Sequence, residues 1–252
     1  MRYSIDRRFL EAGPDVFRHR VGKETVYVKK RRNRKNPLGW LAQAVIHGLT
    51  GNPLTTPPPG PGRNSAVFEA DRLEWLAGRG VDVPRVLHRS DSYFVMSDAG
   101  PGLDALVSRK PEKAKRLLPK AIGALKRLHN LGVAHGGAQI RNFTWLNGRV
   151  HLIDFEDDIP DNAFAAFQLR DIFLLAFSLE RLGTDPNIAD ICRIYDSGDG
   201  ETLERLCAAL SGLSLARLLD NALLSSLGMR DIRGFIRLVD KAKHLKGGEA
   251  WP

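Results

Sequence analysis

Apolar and polar residues alternate along short stretches of the first hundred residues, which is the period of β-strands. Glycine, proline or short polar clusters separate these stretches, as expected for turns between strands. The pattern predicts a small, strand-rich N-terminal region. The predicted strands are residues 9–12, 16–21, 25–29, 83–87 and 93–96.

The pattern changes after about residue 100, where apolar residues recur at helical spacing. Ala121, Leu125 and Leu128 form one such stripe on a helix that ends near Leu131. A helix over residues 64–77, capped by Asn64 or Ser65, interrupts the strands. Further helices are predicted at residues 164–182, 203–210, 215–227 and 232–245.

A β-hairpin is predicted around Asn147-Gly148, because this dipeptide between alternating apolar residues strongly favours a two-residue turn. The hairpin places Asn142, before its first strand, beside Asp154, directly after its second. An amide oxygen and a carboxylate are hard ligands, which suit Mg²⁺ carrying a nucleotide phosphate. The sequence therefore predicts a magnesium and nucleotide site here.

The same stretch resembles the protein-kinase catalytic loop H-x-D-x-x-x-x-N followed by D-F-G. His135 is followed seven residues later by Asn142, and Asp154-Phe155 follows the predicted hairpin. Two positions depart from the pattern: Gly137 stands where the family carries its catalytic aspartate, and Glu156 replaces the glycine of D-F-G.

Upstream segments continue the resemblance in the family's order. Residues 26–29, Val-Tyr-Val-Lys, stand for the strand V-A-I-K, whose lysine holds the α- and β-phosphates. Glu69, preferred to Glu74, matches the helix glutamate that pairs with this lysine, and residues 97–102 resemble the hinge that meets adenine. By resemblance the catalytic residues are His135, Gly137, Glu156 and Asp171, the nucleotide-binding residues are Lys29, Glu69, Met96 and Asp98, and the metal ligands are Asn142 and Asp154.

The resemblance implies an α+β, two-lobed kinase-like fold that binds ATP and Mg²⁺. The N-terminal lobe would cover residues 1–98, and a helical C-terminal lobe would cover residues 99–252. Within the latter, Asp171 would brace the catalytic loop through hydrogen bonds to its backbone. The chain looks most similar to small bacterial sugar kinases of lipopolysaccharide core and Kdo, because of the His-Gly loop opening, the phrase at residues 80–84 and the short chain after Asp154. A glycolipid, sugar or other small hydroxyl acceptor at the cytoplasmic membrane face is the implied substrate.

A basic, amphipathic and proline-rich insertion is predicted at about residues 31–63. The run from Lys29 to Lys35 carries six positive charges, and an apolar helical pattern containing Trp40 follows it. Two interpretations stay open: the helix packs on the small lobe, or the insertion contacts an anionic membrane surface. Liposome flotation with and without anionic lipid separates them.

Composition adds few constraints beyond a net charge of +9, which favours phosphate-bearing or anionic partners. A nucleic-acid partner is disfavoured because no aromatic and basic recognition motif accompanies the charge. Cys192 and Cys207 lack metal-ligand spacing, which indicates buried thiols in a reducing compartment. No secretory segment or bilayer-spanning run of about 18 apolar residues is expected, so a cytoplasmic location is predicted.

Two functions remain after these observations: a kinase-like phosphotransferase, or a pseudokinase that regulates or scaffolds and binds nucleotide weakly or not at all. Gly137 and the missing G-x-G-x-x-G loop favour the second. A general base typically contributes ~10² to 10⁴ in rate, so its loss predicts slow chemistry rather than lost nucleotide binding. Glu156 is a candidate third metal ligand or substitute base, which Glu156→Gln would test.

Overall fold

The computed structural model describes residues 5, 10–11, 13–30, 47, 51–55, 65–184, 188–196 and 201–216, together with residues 237, 238, 240, 241 and 244. The predicted insertion at about 31–63 lies almost wholly outside these residues. The cap at Asn64 and most of the two helices predicted at 215–227 and 232–245 also lie outside them.

A four-stranded antiparallel sheet forms the N-terminal lobe, with strand order β1-β2-β4-β3. The strands are β1 (Val16–Val21), β2 (Glu24–Lys30), β3 (Val86–Arg89) and β4 (Tyr93–Ser97). Side chains alternate across the central strand β2, so Val26 and Val28 pack with Val95 on one face. Lys29 therefore points to the opposite face.

The strand predicted at residues 9–12 is wrong at its described positions, because Leu10 and Glu11 are helical. A four-residue apolar run does not distinguish a strand from a helical turn. Here the carbonyl oxygens of Leu10 and Gly13 accept hydrogen bonds from Lys30 Nζ, at 3.3 and 2.5 Å. These carbonyls are satisfied by a side chain instead of a neighbouring strand.

Helix α1 (Ser65–Ala77) packs on the sheet and carries Glu69. Its buried apolar stripe contains Ala66, Ala70, Leu73 and Leu76. A turn through Gly80, at φ +76°, ends the helical segment in a backbone conformation that favours glycine. The stripe fixes which side of α1 faces the sheet, and with it the direction of Glu69.

Helices dominate the C-terminal lobe, which confirms the predicted two-lobed α+β fold. They are α2 (Leu103–Arg109), α3 (Ala114–Asn130), α4 (Phe164–Leu182), α5 (Ile188–Tyr195) and α6 (Glu201–Ala216). The main core runs from α1 through α3 and α4 to α6, and Leu125 and Leu175 at its centre have no exposed surface.

The predicted hairpin is confirmed as β5 (Phe143–Leu146) and β6 (Arg149–Leu152). Asn147 and Gly148 have φ of 49° and 83°, as a two-residue turn with left-handed central residues requires. Trp145 donates its backbone N–H to the Pro101 carbonyl at 3.0 Å, so the hairpin is attached to the connection between the lobes.

Among the described residues, one segment, Asp161–Leu182, is long and apolar enough to cross a membrane by length and composition alone. In its most apolar part, 44% of the residues are buried inside the protein. The prediction that no such run exists therefore needs this correction. Within the fold the segment contains α4, whose Ile172, Leu175 and Leu179 lie in the main core. The apolar character of α4 is accounted for by that packing.

Candidate active site

Lys29 is the centre of a buried cluster of charged side chains. Its Nζ lies 2.6 Å from Glu69 Oε2, 2.5 Å from Asp154 Oδ1 and 3.0 Å from Glu156 Oε1. Lys29 and Glu69 are 5% and 1% exposed, whereas the Asp154 side chain is 38% exposed, so the ion-pair network lies in the interior and opens to solvent at Asp154. The three carboxylates come from α1 and from the segment after β6, and the lysine joins both to the sheet.

The electrostatics of the cluster leave it with more negative than positive charge. Burial alone would lower the pKa of Lys29, but Glu69, Asp154 and Glu156 together raise it above its ordinary value, so the amine stays protonated. Burial raises the pKa of Glu69 to about 7, although Lys29 opposes this shift. One ammonium shared by three carboxylates cannot neutralise them all.

The ligand atoms of Glu69, Asp154 and Glu156 lie within 4.8 Å of one another, which is a spacing that can hold a metal ion. Carboxylate oxygens and surplus negative charge suit a hard divalent cation such as Mg²⁺. The chemistry of this donor set therefore fits magnesium, but the same three carboxylates contact the Lys29 ammonium in this structure. Of the two metal ligands expected from the sequence, the set includes Asp154. Asp154, a member of this cluster, has φ +73°, which is an uncommon backbone conformation for a residue other than glycine.

Glu69 has a second contact that ties α1 to the segment after the hairpin. Its Oε1 accepts a hydrogen bond from the Phe155 backbone N–H at 3.2 Å. Glu74, the alternative considered from the sequence, instead forms an exposed ion pair with Arg89 at 2.7 Å. Of the two glutamates, Glu69 is the one that the fold directs to the lysine.

His135 lies inside the loop as a brace. Its Nε2 donates to the Ile153 carbonyl at 2.9 Å, while Nδ1 accepts the Gly137 N–H at 3.3 Å, and both contacts fit one neutral tautomer. Its ring stacks on Phe155 with centroids 4.5 Å apart. The histidine is 2% exposed and ties the loop to the strand that leads to Asp154.

Asp171 holds the same loop by accepting hydrogen bonds from its backbone. Its Oδ2 accepts from the His135 N–H at 2.6 Å and from His129 Nε2 at 3.1 Å, and its Oδ1 accepts from the Ala138 N–H at 3.4 Å. Tyr195 hydroxyl contacts His129 Nδ1 at 2.9 Å and completes the chain. Asp171 is fully buried, and these hydrogen bonds compensate for its lost hydration.

Asn142 is oriented by the loop itself. Its Nδ2 donates to the Gly137 carbonyl at 2.8 Å, so Oδ1 is the atom that would face a metal ion if Asn142 is a ligand as predicted. Its own carbonyl accepts the Ile153 N–H at 3.0 Å, so the segments before and after the hairpin run side by side as predicted.

Met96 lies near the end of β4, Asp98 lies in the connection between the lobes, and neither is a member of the Lys29 cluster. Met96 is half-buried in β4 opposite Tyr27, and Asp98 Oδ1 accepts the Gly100 N–H at 2.7 Å. Asp98 therefore stabilises a local turn of the chain.

Sequence reasoning missed His129 and Tyr195 as supports of the loop. His129 lies on the buried side of amphipathic α3, which is a weak signal because buried histidines are common. Nothing near Tyr195 in the sequence marks its contact with a residue 66 positions away. Both contacts depend on how the helices of the C-terminal lobe pack.

Comparison with known proteins identifies the class. Residues 14–173, well over half of the chain, match the sequence model of the phosphotransferase enzyme family called APH. The chain therefore belongs to this family, whose fold is kinase-like.

Two curated proteins are similar over shorter segments. An uncharacterised protein of Haemophilus influenzae is 36% identical over 84 residues, which is 32% of this chain and 35% of that protein. An aminoglycoside 3'-phosphotransferase of Streptomyces fradiae is 36% identical over 103 residues, 36% of this chain and 38% of that enzyme. The chain thus matches little more than a third of the length of either relative.

Proposed function

We propose that this protein transfers the γ-phosphoryl group of Mg·ATP to a hydroxyl group of a sugar-type acceptor. The observation that carries the proposal is the meeting of Lys29 with Glu69, Asp154 and Glu156 in one buried cluster. Phosphoryl transfer depends mainly on positioning and electrostatic stabilisation, which such a cluster provides.

Each residue has a distinct task in this proposal. Lys29 binds the α- and β-phosphates, and Glu69 holds its ammonium in place at 2.6 Å. Asp154 and Asn142 would hold the magnesium, which would neutralise phosphate charge when bound. Glu156, with its side chain 9% exposed and its carboxylate 3.0 Å from Lys29 Nζ, is better placed as a third oxygen ligand than as a base for an entering acceptor.

A sugar hydroxyl is the acceptor class that the comparisons support. The name of the Streptomyces fradiae relative assigns it an aminoglycoside acceptor, and its similarity to this chain covers 103 residues. The resemblance to lipopolysaccharide and Kdo kinases adds a glycolipid sugar at the cytoplasmic membrane face as the second source of the same chemistry. The net charge of +9 favours an acceptor carrying phosphates or lying at an anionic surface.

A pseudokinase role is the competing proposal, and Gly137 is the observation that favours it. The position that carries a carboxylate in the kinase motif has no side chain in this protein. Such a protein would regulate or scaffold, would bind nucleotide weakly or not at all, and would not transfer phosphate.

The test is transfer of ³²P from [γ-³²P]ATP with Mg²⁺ to an aminoglycoside and, in a separate arm, to a membrane glycolipid extract. Wild-type protein should label one of them, whereas Lys29→Met and Asp154→Asn should lower the rate at least about 10³-fold. Glu69→Gln, which removes the charge that holds Lys29, should also lower the rate, and Glu74→Gln is its matched control because Glu74 pairs with Arg89 at the surface. Equal rates in Asp154→Asn and wild type would contradict the proposal, and Mg·ATP binding without transfer in either arm would favour the pseudokinase.

A further inference from the structure

The ammonium group of Lys29 is surrounded by as many carboxylates as it has N–H donors. A lysine ammonium carries three donors and no acceptor. Carboxylate oxygens of Glu69, Asp154 and Glu156 lie 2.6, 2.5 and 3.0 Å from Lys29 Nζ. A phosphate oxygen that binds to Lys29 must therefore take the place of one of these carboxylates.

Glu69 is the carboxylate least able to release Lys29. Its Oε1 is already fixed by the Phe155 backbone N–H at 3.2 Å. Its Oε2 is buried and has no hydrogen-bond partner besides this ion pair among the residues that the structure describes. A carboxylate with 1% exposure that lost its cation would stay charged in the interior, which is costly. Displacement by phosphate therefore falls on Asp154 or Glu156.

Glu156 is the more weakly held of these two carboxylates. Lys29 donates a hydrogen bond to Asp154 Oδ1 at 2.5 Å, whereas the contact with Glu156 at 3.0 Å is the longest of the three. Burial lowers the pKa of Lys29 and the carboxylates raise it, Glu69 most, Asp154 next and Glu156 least. Glu156 also replaces the glycine of D-F-G, so its carboxylate is an addition to the acids of the kinase motif.

A second position for the Glu156 carboxylate exists within the same cluster. The side chain is 9% exposed, so giving up a cationic contact costs free energy when nothing replaces it. The ligand atoms of Glu69, Asp154 and Glu156 lie within 4.8 Å of one another, and a hard divalent cation held there offers a replacement contact. Glu156 can thus contact Lys29 or help to hold a cation, and the second choice leaves a Lys29 donor for phosphate.

We propose that Glu156 competes with the nucleotide phosphates for Lys29 and releases this lysine when its carboxylate moves to a bound divalent cation. This inference rests on the proposed function, because it describes the regulation of the same site. The binding of metal and the binding of nucleotide are then positively coupled through Glu156. Metal-free protein binds phosphate-bearing nucleotides weakly, whereas a nucleoside without phosphates does not meet this competition.

The experiment is calorimetric titration of ADP and of adenosine, both in EDTA, into wild-type protein, Glu156→Gln, Glu156→Ala and Asp158→Asn. The last variant is the control for charge, because Asp158 lies two residues away and interacts with Arg72. Both Glu156 variants should bind ADP more tightly than wild type, on the order of tenfold. Adenosine affinity should stay within about twofold in all proteins, and ADP affinity in Asp158→Asn should stay within about threefold of wild type.

A second titration measures the coupling itself. Adding Mg²⁺ should raise the ADP affinity of wild-type protein by a larger factor than that of Glu156→Ala, with a difference on the order of tenfold. The alanine variant has no carboxylate to move from Lys29 to the metal. Urea denaturation of each variant shows that it is folded, and two different substitutions at position 156 protect the test against one that is not.

The results separate this inference from the proposed function. Equal ADP affinity in EDTA in wild type and both Glu156 variants, including no measurable binding in any of them, would overturn the inference and leave the phosphotransferase intact. An equal gain for adenosine, or for ADP in Asp158→Asn, would also overturn it, because pocket shape or overall charge would then explain the effect. Failure of wild-type protein to bind ADP or ATP in the presence of Mg²⁺ would overturn the proposed function together with this inference.

Discussion

The phosphate side and the acceptor side of the proposed active site differ in which charged groups of the kinase motif they retain. On the phosphate side, Lys29 contacts three carboxylates within 3.0 Å, which is more negative charge than one ammonium can balance. On the acceptor side, the loop around Gly137 has no carboxylate of its own but keeps a complete support built on Asp171. The contrast indicates that the loop's backbone geometry matters even without the side chain that the kinase motif places there.

The support of the loop is complete without a carboxylate at position 137. A buried carboxylate such as Asp171 stabilises a structure only when its hydrogen bonds are satisfied, and three donors satisfy it here. The loop shape that results brings Gly136 against Asp157. The phosphate side can be disrupted by removing charge, whereas the acceptor side can be disrupted by removing either the support or the glycines.

The largest loss of stability is expected from Asp171→Asn. The amide has one oxygen where the carboxylate has two, so at least one buried donor among His129, His135 and Ala138 loses its acceptor. We expect the free energy of unfolding to fall by about 3 kcal/mol, measured by urea denaturation. Asp190→Asn, an exposed carboxylate paired with Arg193, should change it by less than about 0.5 kcal/mol. A loss no greater than in this control would contradict the bracing role.

The next largest loss of stability is expected from substitutions in the connection between the two lobes. Gly100 has φ +83° and a Cβ atom there would overlap the Trp145 carbonyl, whereas Gly148 has the same φ with nothing within 4 Å. Both alanine variants carry the conformational cost of about 1–2 kcal/mol, and only Gly100→Ala adds a clash. Gly100→Ala should therefore be less stable than Gly148→Ala by about 1 kcal/mol, measured by urea denaturation. Equal losses would show that the hinge is not held against the hairpin.

Glu69 should give the phosphate side a distinct dependence on pH without nucleotide. Its pKa is about 7 in the folded protein against an ordinary value of 4.5, so between these values the folded state binds more protons than the unfolded state. Stability from this group is thus present below pH 4.5 and lost as pH rises to about 7. Relative to Glu69→Gln, wild-type protein should lose on the order of 3 kcal/mol across this window, measured by denaturation at several pH values. A constant difference between the two proteins would contradict the electrostatic description of the cluster.

The sequence predicted the parts of the fold that depend on local pattern. Strand alternation placed Lys29 on the face opposite Val28, and Asn147-Gly148 identified the hairpin that aligns Asn142 with Asp154. The strand predicted at residues 9–12 was wrong because so short an apolar run does not distinguish the period of a strand from that of a helix.

Contacts between distant segments could not be predicted in the same way. The separation of His129 from Asp171 is 42 residues, and their contact depends on how α3 and α4 both pack against α5. The approach of Asp157 to Gly136 likewise depends on the path of the chain after Asp154. A glycine pair in a catalytic loop is the one sequence signal that could have directed attention to a neighbouring side chain.

The most direct test of the central claim is calorimetric titration of ATP into wild-type protein and Asp154→Asn, with Mg²⁺ and with EDTA. The proposed site predicts one ATP bound per chain in the presence of Mg²⁺, weaker binding in EDTA, and loss of the magnesium effect in Asp154→Asn. No heat of binding in wild-type protein, or the same magnesium-dependent affinity in both proteins, would contradict it.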